Sequence, residues 1–185
     1  MEKAKKTIKL YVYHEKQCDP KKCTALKLNR HGKAKVVYNL RYVPKRTLVL
    51  NPLVSQVFSP QDKELVLKFG ILAIDCSWKK IKEGIPKLFH GKGRILPALV
   101  AVNPINYGKI GMLSTAEALA AALYIIGFKD QAKDILSIFK WGLHFLELNK
   151  DFLEAYRTAK TPEEVVEKQN KLLMKKYKLG ESKIT

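Results

Sequence analysis

Ile71-Leu72-Ala73-Ile74-Asp75-Cys76-Ser77-Trp78 opens on four apolar residues without alternation and turns polar at Asp75. A run this short and evenly apolar fits a strand covered on both faces, as in a parallel sheet. A second run, Ala98-Leu99-Val100-Ala101-Val102, has the same form and ends in Asn103-Pro104. Parallel strands need crossovers, usually helical, so the fold class read from these two runs is α/β. In open α/β sheets the ligand lies beyond the carboxyl ends of the strands. Asp75 and Asn103 stand there, so the pattern marks a cleft before any motif is considered.

Working outward toward the N-terminus, residues 5–13 alternate with Ile8, Leu10 and Val12 on one face, the mark of a half-buried strand. Asp19-Pro20 offers a helix start leading through Thr24 to Leu28, and Asn29 to Gly32 is a basic turn. Residues 36–40 and 47–50 read as strands, closed by Asn51-Pro52. Ser59-Pro60-Gln61-Asp62 begins a short helix that stops near Gly70. Toward the C-terminus, Ser114-Thr115-Ala116-Glu117 is a capping box for a helix over residues 115–126, ended by Gly127. Ile135, Leu136, Ile138, Phe139, Leu143, Phe145 and Leu146 mark one long buried helix, and Asp151 caps a third. Thr161-Pro162-Glu163-Glu164 opens a last amphipathic one. The composition shift near Gly70 divides the chain into a basic α+β part, residues 1–70, and a part of buried strands and helices, residues 71–185.

Charge is the informative bulk property. The 185 residues carry 35 Lys and Arg against 17 Asp and Glu, a net charge of +18. Residues 1–50 hold 14 basic groups and only Glu2, Glu15 and Asp19, which leaves +11 of the +18 in that segment. Lysine-rich thermophile surfaces balance Lys with Glu, and this one does not. Such asymmetry points to a polyanion, here nucleic acid. The longest apolar run, Ala118 to Phe128, has eleven residues, where a transmembrane helix needs about twenty. The N-terminus MEKAKKTIKLYVYHEKQ lacks the apolar stretch of a secretory signal. Cys18, Cys23 and Cys76 form no CxxC pair, so free thiols in a reducing cytoplasm are expected.

Most catalytic motifs are absent. Gly91-Lys92-Gly93-Arg94 lacks both the P-loop spacing and the third glycine of a dinucleotide fingerprint. His14, His31, His90 and His144 share no ligand spacing, and no nucleophile elbow exists, so no metal site is expected. Asp75 stands apart because a carboxylate ending a buried strand needs a partner or a purpose. Two readings of it remain open: Asp75 caps the following helix with Trp78 in the core, or both residues belong to a site. Cys76 has no histidine at readable spacing to activate it.

Several blocks occur together and in order: Asp19-Pro20-Lys21-Lys22-Cys23-Thr24, Asp75-Cys76-Ser77-Trp78, the segment from Arg94 to Ala101 (RILPALVA), Asn103-Pro104-Ile105-Asn106-Tyr107-Gly108, the segment from Leu113 to Ala118 (LSTAEA), Phe139-Lys140-Trp141-Gly142 and Phe145-Leu146-Glu147-Leu148-Asn149. Over roughly residues 8–156 the chain resembles the small-subunit rRNA aminocarboxypropyltransferases of archaea and eukaryotes. It lacks the acidic tail of the eukaryotic members, which favours an archaeal source. The resemblance implies an S-adenosylmethionine-dependent transferase of ribosome biogenesis. It would move the 3-amino-3-carboxypropyl group to N3 of a pseudouridine or N1-methylpseudouridine in a small-subunit rRNA hairpin loop. It also implies a C-terminal domain like the trefoil-knotted SPOUT methyltransferases, a monomer, and the pre-ribosomal particle as partner.

The site implied by the resemblance has named parts. Trp78 and Ile81 bury the methyl group, so that the side-chain carbon faces the nucleophile. Thr24 and the amide of Thr115, at a helix start capped by Ser114, hold the carboxylate. The backbone of Ile74 meets the ribose, and that of Leu96 and Gly111 the adenine. Asp75 is the base for the imide proton or the stabiliser of the sulfonium. RNA contacts fall to Lys16, Lys21, Lys22, Lys27, Arg30, Lys33, Lys35, Arg41, Lys45 and Arg46. The alternatives are a SPOUT-type methyltransferase and a non-catalytic rRNA-binding assembly factor.

Overall fold

The computed structural model describes residues 7–15, 19–20, 22–75 and 92–181, with side chains to residue 176. Strands β1 (Leu10–His14), β2 (Lys35–Val37), β3 (Leu48–Leu50), β4 (Ile71–Asp75) and β5 (Lys92–Arg94) form one sheet in the order β2-β1-β4-β3-β5. All pairings are parallel. Parallel neighbours cannot be joined by a tight turn. Helix α1 (Thr24–Arg30) accordingly carries the chain from β1 to β2, and α2 (Lys63–Phe69) from β3 to β4.

β4 is the central strand, and its burial explains its sequence. Ile71 and Ala73 enter the main core, while Leu72 packs on the opposite face with Val37, Val43 and Val49. Both faces are dry, so no polar alternation survives. Gly70, at φ +83°, makes the turn into β4, and a Cβ there would lie 2.4 Å from the Lys9 carbonyl oxygen. The division expected at Gly70 is crossed by the sheet, because β4 pairs with β1 on one side and β3 on the other. The strand expected over 36–40 runs instead over Lys35–Val37, and that expected over 47–50 begins one residue later, at Leu48. β2 stops at Val37, and a 3-10 turn follows over Leu40–Tyr42, where Asn39 Oδ1 accepts from the Arg41 amide.

The second apolar run is not a sheet strand, which corrects the expectation for residues 98–102. At Ala98, Val100 and Val102 its backbone is satisfied by side chains from the helical part of the chain. The Ala98 amide donates to Gln169 Oε1 at 2.6 Å, and the Ala98 carbonyl accepts from the Tyr156 hydroxyl at 2.9 Å. Asn149, with no exposed surface, accepts from the Val100 amide at 2.7 Å and donates to the Val100 carbonyl at 2.9 Å. Glu117 accepts from the Val102 amide at 2.7 Å. Apolar side chains beside fully bonded backbone are what burial demands. Here helix side chains supply part of those bonds, and the backbone of Gly108, Lys109 and Gly111 supplies others for Leu99 and Ala101.

Helix α3 (Thr115–Ile125) is buried almost throughout and ends before Gly127 at φ +92°. The single long helix expected next is two, α4 (Lys129–Leu136) and α5 (Gly142–Leu148). The chain turns back so tightly that a Cβ on Gly142 would meet the Leu136 carbonyl oxygen at 2.1 Å. Asn149, not Asp151, occupies the cap position of α6 (Lys150–Arg157), and α7 (Pro162–Glu181) completes the described chain. Glu154 on α6 accepts from Lys129 of α4, Tyr124 of α3 and its neighbour Arg157, and these donors draw its carboxyl down to about 2. Among the described residues no helix is long and apolar enough to cross a membrane.

Replacing Asn149 by Ala leaves both polar groups of the half-buried Val100 without their partner. The expected loss is about 2–4 kcal/mol of unfolding free energy, read by denaturant titration.

Candidate active site

β1 and β4 are neighbours, yet the chain leaves them in opposite directions: from β1 outward to β2, and from β4 past β3 to β5. Such a reversal opens a crevice at the carboxyl ends of the two strands. His14 and Asp75 are the register partners that end them. Their side chains meet, His14 Nε2 lying 3.4 Å from Asp75 Oδ2. Cys23, the cap residue of α1, joins them with its Sγ 3.4 Å from His14 Nε2 and 3.4 Å from Asp75 Oδ2. The other carboxylate oxygen, Oδ1, accepts from the Thr115 hydroxyl at 2.8 Å. His14 and Cys23 are buried, while the Asp75 side chain keeps 18% of its surface open. Asp75 is thus a fixed carboxylate with one aspect toward solvent.

The start of α3 ties this cluster to the loop beyond it. Ser114 and Glu117 form the expected capping box, Ser114 Oγ accepting from the Glu117 amide and Glu117 Oε2 from the Ser114 amide. Glu117 has no exposed surface, and its two oxygens also accept from the amides of Val102 and Asn103 and from Asn103 Nδ2. One buried carboxylate therefore pins the loop over residues 103–112 to the helix turn that carries Thr115. The expected role of Asn103 at a strand end becomes that of an anchor. Gly111, at φ +77°, closes the loop by donating to the Leu99 carbonyl at 2.9 Å.

Of the expected cofactor residues, Asp75 and Thr115 are hydrogen-bonded partners, Thr24 adjoins Cys23, and Ser114 caps their helix. Ile74 precedes Asp75 and packs with the smaller core, whereas Leu96 packs with the main one. Trp78, Ile81, Lys16 and Lys21 lie outside the described residues. Of the expected RNA contacts, Lys22, Arg30, Lys35, Arg41, Lys45 and Arg46 are exposed. Three have partners within the chain. Lys33 pairs with Asp134 at 2.6 Å, Lys27 lies over the Phe139 ring, and Arg46 over that of Phe69.

Comparison with known proteins follows the same lines. Residues 48–173 match the family model "Ribosome biogenesis protein, C-terminal". Over 167 residues the chain is 54% identical to the 16S rRNA aminocarboxypropyltransferase of Methanothermobacter thermautotrophicus, covering 90% of this chain and 99% of that one. It is 52% identical to the protein of the same name from Methanocaldococcus jannaschii, covering 90% and 97%. The chain belongs to the 16S rRNA aminocarboxypropyltransferase family. Its fold is similar to that of "the SAM-dependent rRNA:acp-transferase Tsr3 from Vulcanisaeta distributa", with a TM-score of 0.80 at 37% identity, covering 90% of this chain and 96% of that one. Residues 8–39 also match a model described as a possible Fer4-like domain in RNase L inhibitor. That stretch contains two cysteines and the whole chain three, fewer than the four thiolates of a cubane cluster.

In this family member, His14 and Cys23 escaped sequence reasoning because they stand nine positions apart and Cys23 stands 52 positions from Asp75. Their one readable signal is that His14, like Asp75, closes an apolar strand. Together with Asp75 they offer three ligand atoms within 4.8 Å of one another. Tyr38 and Tyr42 were also missed. They are 54% and 65% exposed, in a stretch of sequence that also carries Lys35, Arg41 and Lys45, and the Tyr38 ring meets His14 edge-on at 5.8 Å. Aromatics interleaved with cations were the available signal.

Exchanging Glu117 for Gln turns one of its acceptor oxygens into a donor facing amide N–H groups. The expected cost is about 2–4 kcal/mol of stability, with loop 103–112 released, read by denaturant titration and by hydrogen exchange at Val102 and Asn103.

Proposed function

We propose that this chain transfers the 3-amino-3-carboxypropyl group of S-adenosylmethionine to small-subunit rRNA, at N3 of a pseudouridine or N1-methylpseudouridine. The reading rests on near-full-length similarity to relatives that carry this name, and the fixed carboxylate at the sheet's reversal point supplies a site for it. Bound there, S-adenosylmethionine supplies a sulfonium whose Cγ–S bond breaks as N3 attacks Cγ, leaving methylthioadenosine. The residues fit it: a carboxylate suits a sulfonium, the first turn of α3 suits a carboxylate, and a Cβ on Gly111 would meet nothing within 4 Å.

In this reading Thr24 and the Thr115 amide hold the amino-acid carboxylate, the backbones of Ile74, Leu96 and Gly111 take the nucleoside, and Trp78 with Ile81 covers the methyl group. Asp75, turned by the Thr115 hydroxyl, either accepts the N3 proton or offsets the sulfonium charge. Lys22, Arg30, Lys35, Arg41 and Lys45 meet phosphates, with Tyr38 and Tyr42 as surfaces for unpaired bases. The cations up to residue 70 thus face RNA, and residues from 71 onward do most of the cofactor's work. A SPOUT-like knotted path, a monomeric state, a cytoplasmic location and action on the pre-ribosomal particle complete the reading.

Mass spectrometry after incubation with S-adenosylmethionine and hypomodified small-subunit rRNA tests the reaction. Methylthioadenosine and an RNA mass gain of one aminocarboxypropyl group are expected. S-adenosylhomocysteine would make it a methyltransferase, and no product from competent RNA would leave a binding factor. Asp75→Asn separates the two roles of the carboxylate. Turnover down at least about 100-fold with cofactor affinity kept assigns the base, and lost affinity assigns charge stabilisation. Lys45→Ala should lower the slope of log affinity against log salt by about 0.7–0.9, and Tyr42→Ala should weaken RNA binding by about 1–3 kcal/mol.

A further inference from the structure

We propose that His14, Cys23 and Asp75 form a binding site for one divalent cation of the zinc type, with three protein ligands and one open position. The three donor atoms make a triangle whose edges, Nε2 to Sγ, Sγ to Oδ2 and Nε2 to Oδ2, are each 3.4 Å. A tetrahedral zinc ion with ordinary Zn–N, Zn–S and Zn–O lengths holds such donors about 3.3–3.6 Å apart. A metal ion bonds all three at once.

Charge and rigidity agree. On binding, the Cys23 thiol releases its proton to solvent. The resulting thiolate and the Asp75 carboxylate together neutralise a divalent ion, so no net charge is buried. One imidazole nitrogen, one sulfur and one oxygen suit zinc or cobalt, not magnesium or calcium, which take oxygen. Outer support is present: the Thr115 hydroxyl holds Oδ1 at 2.8 Å, and the paired ends of β1 and β4 set His14 beside Asp75. His14 and Cys23 are buried and Asp75 is partly open, so the fourth position faces the crevice. The metal site does not depend on the proposed function. An ion seated there would, however, take the carboxylate that the proposed function assigns to the sulfonium.

The test is titration of the full chain with Co2+ in the absence of S-adenosylmethionine. One equivalent should bind with a thiolate-to-cobalt charge-transfer band. The band should persist in the double variant Cys18→Ser/Cys76→Ser, where Cys23 is the only thiol. It should vanish in Cys23→Ser, and Thr115→Val, which keeps every ligand, should weaken binding about 10–100-fold. Circular dichroism of each variant checks that it folds. No band in the double variant, or an undiminished band in folded Cys23→Ser, overturns the site. S-adenosylmethionine added to the loaded protein should displace the ion. A band that survives saturating S-adenosylmethionine counts against the sulfonium placement and leaves the metal site standing.

Discussion

The parallel pairing of β1 with β4, from Leu10 against Ile71 to His14 against Asp75, is the contact on which the rest depends. It joins segments about sixty residues apart and sets the last residue of each strand opposite the other. Because the chain then turns outward from both strands, nothing from the sheet fills the space beyond them. A slip of one residue would send His14 and Asp75 to opposite faces. The buried apolar faces of β4 on both sides prevent that slip, so core packing also holds the register of the site.

Two buried polar side chains do the second part of the work. Asn149 and Glu117 have no exposed surface, and each bonds backbone of the stretch between β5 and α3 that a sheet neighbour would otherwise satisfy. This lets an apolar segment run through the core without joining the sheet. Glu117 sits two residues after Thr115, so the bonds that fix loop 103–112 also fix the hydroxyl that orients Asp75. Stability and site geometry share one carboxylate here.

The basic surface follows a different logic. Several cations expected to meet RNA are already engaged within the chain, Lys33 with Asp134 and Lys27 over Phe139. Of those left exposed, Arg41 lies with Tyr38 and Tyr42 in the segment that follows the carboxyl end of β2, the edge strand beside β1. The edge contact of Tyr38 with His14 makes that surface continuous with the crevice. A base stacked there would lie beside the cluster that the Asp75 carboxylate completes.

The sequence by itself determined a good deal: a central parallel strand at Ile71–Asp75, the capping box at Ser114 and Glu117, the charge excess before residue 50, and a carboxylate with a reason to be functional. These are local, since composition, period and spacing carry them within a few residues. It misread residues 98–102 as a strand and joined α4 to α5, because an apolar run does not say whether strands or helix side chains satisfy its backbone, and only packing shows how closely Gly142 approaches Leu136. Tertiary structure alone decided that His14, Cys23, Asp75 and Thr115 share one point. Their spacing along the chain is irregular, and the register of two distant strands, held by burial on both faces of β4, is what brings them together.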